Sequence, residues 1–98
     1  STHNFSLALT DSDFTVANDD GVNFIRNTGA NTITLPAVAE SKGRLLQVLQ
    51  TDANICTLSS DGDIDGSSSD FTSLDAADDW AEFFCDGDEW HIVAQSIA

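Results

Sequence analysis

The amino-acid sequence predicts an all-β fold, a small antiparallel β-sandwich or jelly-roll-like domain. Short runs of β-favouring residues alternate with turn residues at a spacing of ~8–12 positions, which is typical of sandwiches and small barrels. Fourteen of the seventeen acids are Asp, a residue that favours turns and disfavours helix interiors. The dipeptide Asp86-Gly87 lies between two apolar runs within residues 83–93, and this pattern is a strong signal of a β-hairpin.

The individual strands are predicted from hydrophobic alternation. Phe5, Leu7 and Leu9 share one face of the first strand, at the period of two that indicates a strand. Pro36 ends the fourth strand because it has no N–H to donate to a neighbour. The predicted strands are Asn4–Thr10, Phe14–Ala17, Val22–Arg26, Thr32–Leu35, Arg44–Thr51, Asn54–Ser59, Asp70–Leu74, Trp80–Asp86 and Glu89–Gln95, with one helical turn at Ala37–Lys42 that Gly43 ends.

Two of these strands carry extra information. The segment Arg44–Thr51 has apolar residues on both faces, which favours a sandwich interior or a subunit interface. In the closing hairpin, a two-residue turn would pair Cys85 with Asp88, whereas a longer turn would shift that register.

The length of 98 residues predicts one domain over residues 1–98, with neither a linker nor an internal repeat. A chain of this size buries roughly 65% of its unfolded surface, so its core is thin and association with identical copies would stabilise it.

The net charge of −14 restricts the partners. A surface this acidic repels phosphate backbones and anionic lipids, so we expect neither nucleic-acid nor membrane binding. The acidity suits solubility or a saline habitat. Because we find no signal peptide and no transmembrane run, and Ser1 resembles a start that lost an initiator Met, we expect synthesis in the cytoplasm.

The two cysteines, Cys56 and Cys85, both fall within predicted strands. Two buried free thiols are the simpler expectation, and a Cys56–Cys85 bridge is the alternative. No Cys/His spacing suggests zinc.

One acidic segment resembles the beginning of a calcium loop, with candidate ligands Asp61, Asp63 and Asp65 followed by Gly66. Thr72 stands where an EF-hand has Glu, and no helices flank the segment. The alternative is a polar turn that inserts Ile64 into the core. We therefore predict no cofactor and keep calcium as a weak candidate.

We predict no enzymatic activity. With seventeen acids, carboxylate pairs arise by chance and indicate no glycosidase site. His91 is expected on the strand face opposite Trp90 and Ile92, as a partly exposed histidine without a nucleophile motif.

The second half of the chain resembles a known family. The motifs in order are Ile33-Thr-Leu-Pro36, Lys42-Gly-Arg44, Ile55-Cys-Thr-Leu58, Ile64-Asp-Gly66-Ser-Ser-Ser69 and Asp86-Gly87 through Trp90-His-Ile-Val93. Across Thr32–Val93 this order resembles a β-rich module of tailed-bacteriophage virion-surface proteins, found at tail-fibre tips and on other parts of the particle. The resemblance implies a β-sandwich or jelly roll, often trimeric, with a structural or attachment role. Cys56, Cys85 and the strong acidity depart from the family pattern.

Two functions follow from this resemblance. The first is a capsid decoration (cement) protein on the virion head. Its expected partners are further copies of itself in a homotrimer and the major capsid protein or another virion protein. The expected contact residues are His3, Asn4, Phe5, Arg44, Leu46, Val48 and Phe84. The alternative is a receptor- or glycan-binding fibre module, with Trp80 and Trp90 as ligand-facing aromatics unless they pack in the core.

Overall fold

The computed structural model describes residues 7–67 and 70–98. Within them the chain forms nine strands and one short 3-10 helix. The strands are β1 (Leu7–Thr10), β2 (Phe14–Thr15), β3 (Phe24–Asn27), β4 (Thr32–Thr34), β5 (Leu45–Gln50), β6 (Cys56–Ser59), β7 (Phe71–Leu74), β8 (Trp80–Cys85) and β9 (Trp90–Ser96). The predicted helical turn is the 3-10 helix Val38–Glu40, and Gly43 follows it with φ +86°. Each described element was therefore predicted from the sequence.

The strands form two sheets that share one core. The five-stranded sheet has the order β1-β3-β5-β8-β9, and the four-stranded sheet has the order β2-β4-β6-β7. Inward side chains of both sheets make up a single buried cluster. The prediction of a small all-β domain is confirmed, but the prediction of antiparallel sheets is wrong, because both sheets are mixed.

The mixed sheets arise because the first six strands alternate between the two layers. Each strand leads to the opposite sheet and the next returns, so neighbours in one sheet run in the same direction. Thus β1, β3 and β5 are parallel, as are β2, β4 and β6. Only β7, β8 and β9 add antiparallel pairs. The chain from β1 to β6 is a coil of three turns, which the β8–β9 hairpin and β7 close.

The last two turns of this coil share a sequence repeat. Strand β3 pairs with β5 at a constant offset, from Phe24 opposite Gln47 to Asn27 opposite Gln50. At the same offset the sequence carries identical residues, namely Thr28 and Thr51, Ala30 and Ala53, Asn31 and Asn54, Thr34 and Thr57, and Leu35 and Leu58. The expectation that the chain has no internal repeat overlooked this short similarity between residues 28–35 and 51–58.

A buried amide pair aligns these two turns. Asn27 and Gln50 are fully buried, and Asn27 Nδ2 donates to Gln50 Oε1 at 2.7 Å. Gln50 Nε2 donates in turn to the carbonyl oxygens of Gly29 and Asn54 and to Asp52 Oδ1. Because buried amides are costly unless they are hydrogen-bonded, a slip of one turn against the other would break this network.

The closing hairpin has the longer of the two turns considered above. Cys85 lies opposite Trp90, and residues 86–89 form the turn. Asp86 Oδ1 accepts the N–H groups of Asp88 and Glu89. Gly87 has φ +98°, a backbone conformation that costs glycine little.

The core contains two large aromatic side chains. Trp90 and Phe83 are fully buried, and the Phe83 ring meets Phe71 edge to face at 5.6 Å between centroids. Both cysteines are buried and free, as predicted, so the alternative of a disulfide bridge is wrong. Burial raises the pKa of the Cys56 thiol to about 12.

The C-terminus is held by a buried carboxylate, Asp79, which is 2% exposed. Its Oδ2 accepts the N–H groups of Asp75 and Ala76, and its Oδ1 accepts the N–H of Ala98 at 2.9 Å. Three backbone donors therefore solvate this charge in place of water.

Candidate docking surface

The five-stranded sheet has a face that points away from the core. Along β5 the side chains alternate, so Leu46, Val48 and Gln50 are buried and the residues between them point outward. The paired strands continue this alternation. We call this side the outer face and define it by the residues Leu7, Leu9, Phe24, Arg26, Leu45, Gln47, Leu49, Trp80, Glu82, Phe84 and His91.

The outer face is apolar to an unusual degree for a surface in water. Leu7, Leu9 and Leu45 are 54%, 60% and 47% exposed. Phe24, Leu49, Trp80 and Phe84 are half-buried, and none belongs to the core cluster. A depression of about 330 Å³ lies among Asn23, Phe24, Leu45, Gln47 and Glu82. Contiguous apolar surface of this kind marks sites of interaction with other proteins.

Charge is segregated from this face. Glu82 is the single acid of the seventeen that lies within a described strand. Glu40 ends the 3-10 helix, and the other fifteen lie in the turns and loops. Arg26 is the single Lys or Arg within a strand of the described residues. Neither Arg26 nor Glu82 forms an ion pair in residues 7–67 and 70–98. The outer face thus carries one cation and one anion that lack an ion-pair partner within residues 7–67 and 70–98, and most of the side chains around them are apolar.

The predicted contact residues are only partly on this face. Phe84 lies on it, and its role stays a prediction. The prediction that Leu46 and Val48 contact a partner is wrong, because both are fully buried in the core of the chain. Their neighbours on the opposite side of β5, Leu45 and Leu49, take the outward positions. His3, Asn4 and Phe5 lie outside the described residues.

Arg44 was also predicted to contact a partner, but it binds its own chain. Its guanidinium donates to the carbonyl oxygens of Ala17, Asn18 and Val22 and forms an ion pair with Asp20 at 2.7 Å. Burial alone would raise the pKa of Asp20, but hydrogen bonds from Val22 N–H, Arg44 and Ala17 N–H lower it. Arg44 therefore holds the loop between β2 and β3 and is not free for docking.

The two tryptophans occupy different environments. Trp90 is fully buried, so the prediction that it faces a ligand is wrong and the core alternative is right. Trp80 lies half-buried on the outer face, opposite Leu49 on β5 and Ser96 on β9. The sequence alone did not show which of the two tryptophans faces outward.

The calcium candidates do not assemble a site. Asp61 Oδ1 accepts the N–H of Val38, and Ile64 inserts into the core beside Trp90. In the part of the chain that the structure describes, no group of three His, Cys, Asp or Glu side chains could hold a metal ion, which includes Asp61, Asp63 and Asp65. The alternative of a polar turn with Ile64 in the core is confirmed.

His91 lies at the rim of the outer face, partly exposed and opposite Phe84, as the alternation predicted. Its Nε2 lies 2.6 Å from Asp86 Oδ2. This hydrogen bond raises the pKa of His91 above its ordinary value of 6.5 and lowers that of Asp86 to about 2. The Asp86 contribution to stability is lost as the pH falls through about 2, and the His91 contribution is lost as the pH rises through its raised pKa.

We expect the His91 ring to titrate above pH 6.5 in an NMR titration of its ring protons. Asp86→Asn should return the pKa towards the ordinary value, because the carboxylate is the main cause of the shift. Glu89→Gln is the control and should change the pKa less, since Glu89 acts only through a weaker Coulomb interaction. Equal effects of the two substitutions would contradict the assigned hydrogen bond.

Among the described residues no helix is long and apolar enough to cross a membrane.

Comparison with known proteins finds no relative of this chain. No protein-family model matches the chain, and no significant match was found among curated proteins or solved structures.

Proposed function

We propose that this chain is a structural virion protein, a decoration (cement) protein that stabilises the head of a tailed bacteriophage by bridging capsid subunits. The main observation that supports this proposal is the apolar outer face. Apolar area contributes about 25 cal/mol per Å² when it is removed from water, so a face of exposed Leu side chains favours assembly. The acids in the turns stay hydrated when this face is covered.

Such a protein acts mechanically rather than as a catalyst, so the proposal does not include enzymatic activity. Bridging contacts oppose the outward pressure of packaged DNA by raising the cost of separating neighbouring capsid subunits. The resemblance of Thr32–Val93 to virion-surface modules supports this role and implies a trimer. The alternative of a glycan-binding fibre module loses one of its two aromatic candidates, because Trp90 is buried.

The test is the copy number and position of the protein on purified particles of the phage that encodes it. We expect many copies spread over the head, and heads without the protein should release DNA at a lower temperature. A few copies at the tail would instead favour the fibre module, and absence from the particle would refute both.

A matched pair of variants connects particle binding to the outer face. Leu9→Asp places a charge on that face at a side chain that is 60% exposed, so the fold should tolerate it while occupancy of the head falls. Ile55→Asp is the control, because Ile55 is 49% exposed but lies in the loop before β6. Unchanged occupancy of the Leu9→Asp variant would show that another surface docks.

A further inference from the structure

We infer that the outer face binds the outer face of a second copy of this chain, in a two-fold pair in which Arg26 of each copy meets Glu82 of the other. The inference rests on the proposed function only in taking the outer face as the assembly surface. It replaces the trimer that the resemblance implies with a two-fold pair, and this pair is the form that docks on the head.

Charge complementarity is the first argument that a second copy of the chain covers the outer face. Arg26 and Glu82 have no ion-pair partner within residues 7–67 and 70–98. Removing a charge from water without a counter-charge costs several kcal/mol, so an occupant of the face must place an acid against Arg26 and a base against Glu82. A second copy of the same face supplies both groups.

The positions of the two charges are the second argument. Arg26 on β3 lies beside Leu49, and Glu82 on β8 lies beside Gln47, so they flank the central strand β5 on opposite sides. Suppose that a two-fold axis lies between the two copies and crosses β5 between Gln47 and Leu49. This axis places Arg26 of each copy opposite Glu82 of the other. An isologous contact requires this self-complementary arrangement.

The same positions fix the approximate crossing of the two sheets. Strands lie about 4.8 Å apart and residues rise about 3.4 Å along a strand, so the axis would lie at about 35° to β5. The strands of the two copies would then cross at about 70°, which is near the orthogonal class of sheet packing.

The rest of the surface does not suit a second copy. Outside the outer face the chain has sixteen acids, and of its two remaining cations Arg44 is bound internally. Two copies that approached through these turns would repel each other at separations within the Debye length of ~8 Å. A standard interface takes about 800 Å² from each partner, which is about 15% of the 5272 Å² of this chain and compatible with one face of five strands.

The test is a charge-reversal cycle on the full chain, read by sedimentation equilibrium. We expect the wild-type protein to sediment at twice its mass of 10.4 kDa. Arg26→Glu and Glu82→Arg should each weaken the dimer by at least ~10-fold, because each places like charges together. The double variant restores both pairs and should return the dissociation constant to within ~3-fold of the wild-type value.

Two exposed residues away from the outer face provide equal-charge controls. Lys42→Glu changes the net charge as Arg26→Glu does, and Glu40→Arg changes it as Glu82→Arg does. Neither should weaken the dimer beyond the small effect of the net charge. Circular dichroism of every variant verifies that the fold is kept.

The outcomes separate this inference from the proposed function. A monomer or a trimer at every concentration, or a double variant as weak as the single ones, would overturn the inference. If the protein is monomeric but Leu9→Asp still removes it from the head, the capsid protein occupies the face and only the inference fails. A dimer that never binds the particle would refute only the proposed function.

Discussion

Trp90→Ala is expected to lower the free energy of unfolding by about 3–5 kcal/mol, which is the usual cost of deleting a large aromatic side chain from a core. Trp90 is fully buried at the start of β9. Its backbone pairs with Cys85 across the hairpin and bridges to Ile64. Its side chain is therefore buried where the closing hairpin meets the loop after β6, in the same core cluster as Ile64. Urea denaturation followed by circular dichroism measures the loss.

Trp80→Ala is the matched control for this prediction. The side chain is the same, but it lies half-buried on the outer face and outside the core cluster. We expect a clearly smaller loss of stability from Trp80→Ala together with a weaker dimer. If both substitutions destabilised the fold equally, the assignment of Trp80 to a surface that a partner covers would be wrong.

Asp79→Ala is expected to cost about 2–4 kcal/mol of stability, because three part-buried backbone donors lose their charged acceptor at once. The N–H groups of Asp75, Ala76 and Ala98 all lose their partner. Amide hydrogen exchange should show faster exchange at Ala98 and in the turn at residues 75–79. Thermal unfolding gives the change in stability.

Asp75→Ala is the control for Asp79. Asp75 is exposed in the same turn, so removing its carboxylate changes the net charge equally without leaving a buried donor. We expect its effect to stay within about 0.5 kcal/mol, as for other surface substitutions. A loss as large as that of Asp79→Ala would show that charge, rather than the three hydrogen bonds, governs this turn.

Local patterns predicted the local structure well. Alternation located the strands, Pro36 and Gly43 bounded the 3-10 turn, and Asp86-Gly87 marked the hairpin. The same reasoning placed Ile64 in the core and His91 on the outward side of β9. Each of these features depends on residues that are close together in the sequence.

The pairing of strands was missed because it depends on distant residues. Short strands and turns look alike whether the chain folds back as hairpins or crosses to the other sheet. The similarity between residues 28–35 and 51–58 was a signal for the coil, because these segments lead from β3 to β4 and from β5 to β6. The strands themselves pair Leu58 with Ile33 rather than with Leu35.

The apolar outer face includes the strand that the sequence singled out, but it lies on the opposite side of that strand from Leu46 and Val48. A strand with apolar residues on both faces has two candidate interfaces, and a period of two does not say which one the core takes. Leu46 and Val48 face inward because the core residues of the neighbouring strands, Ile25 and Phe83, lie beside them. Arg44 was misassigned because its partners in residues 17–22 come close only when the chain coils.

The coil from β1 to β6 makes the length of this molecule adjustable. Each turn stacks on the one before it through a ladder that accepts the next strand in the same direction. Duplication of one turn would therefore add one strand, about 4.8 Å wide, to each sheet. The outer face would widen by one strand for each duplicated turn, while the closing hairpin would remain the same end piece. A chain lengthened in this way would therefore have a wider outer face and the same elements at its closing end.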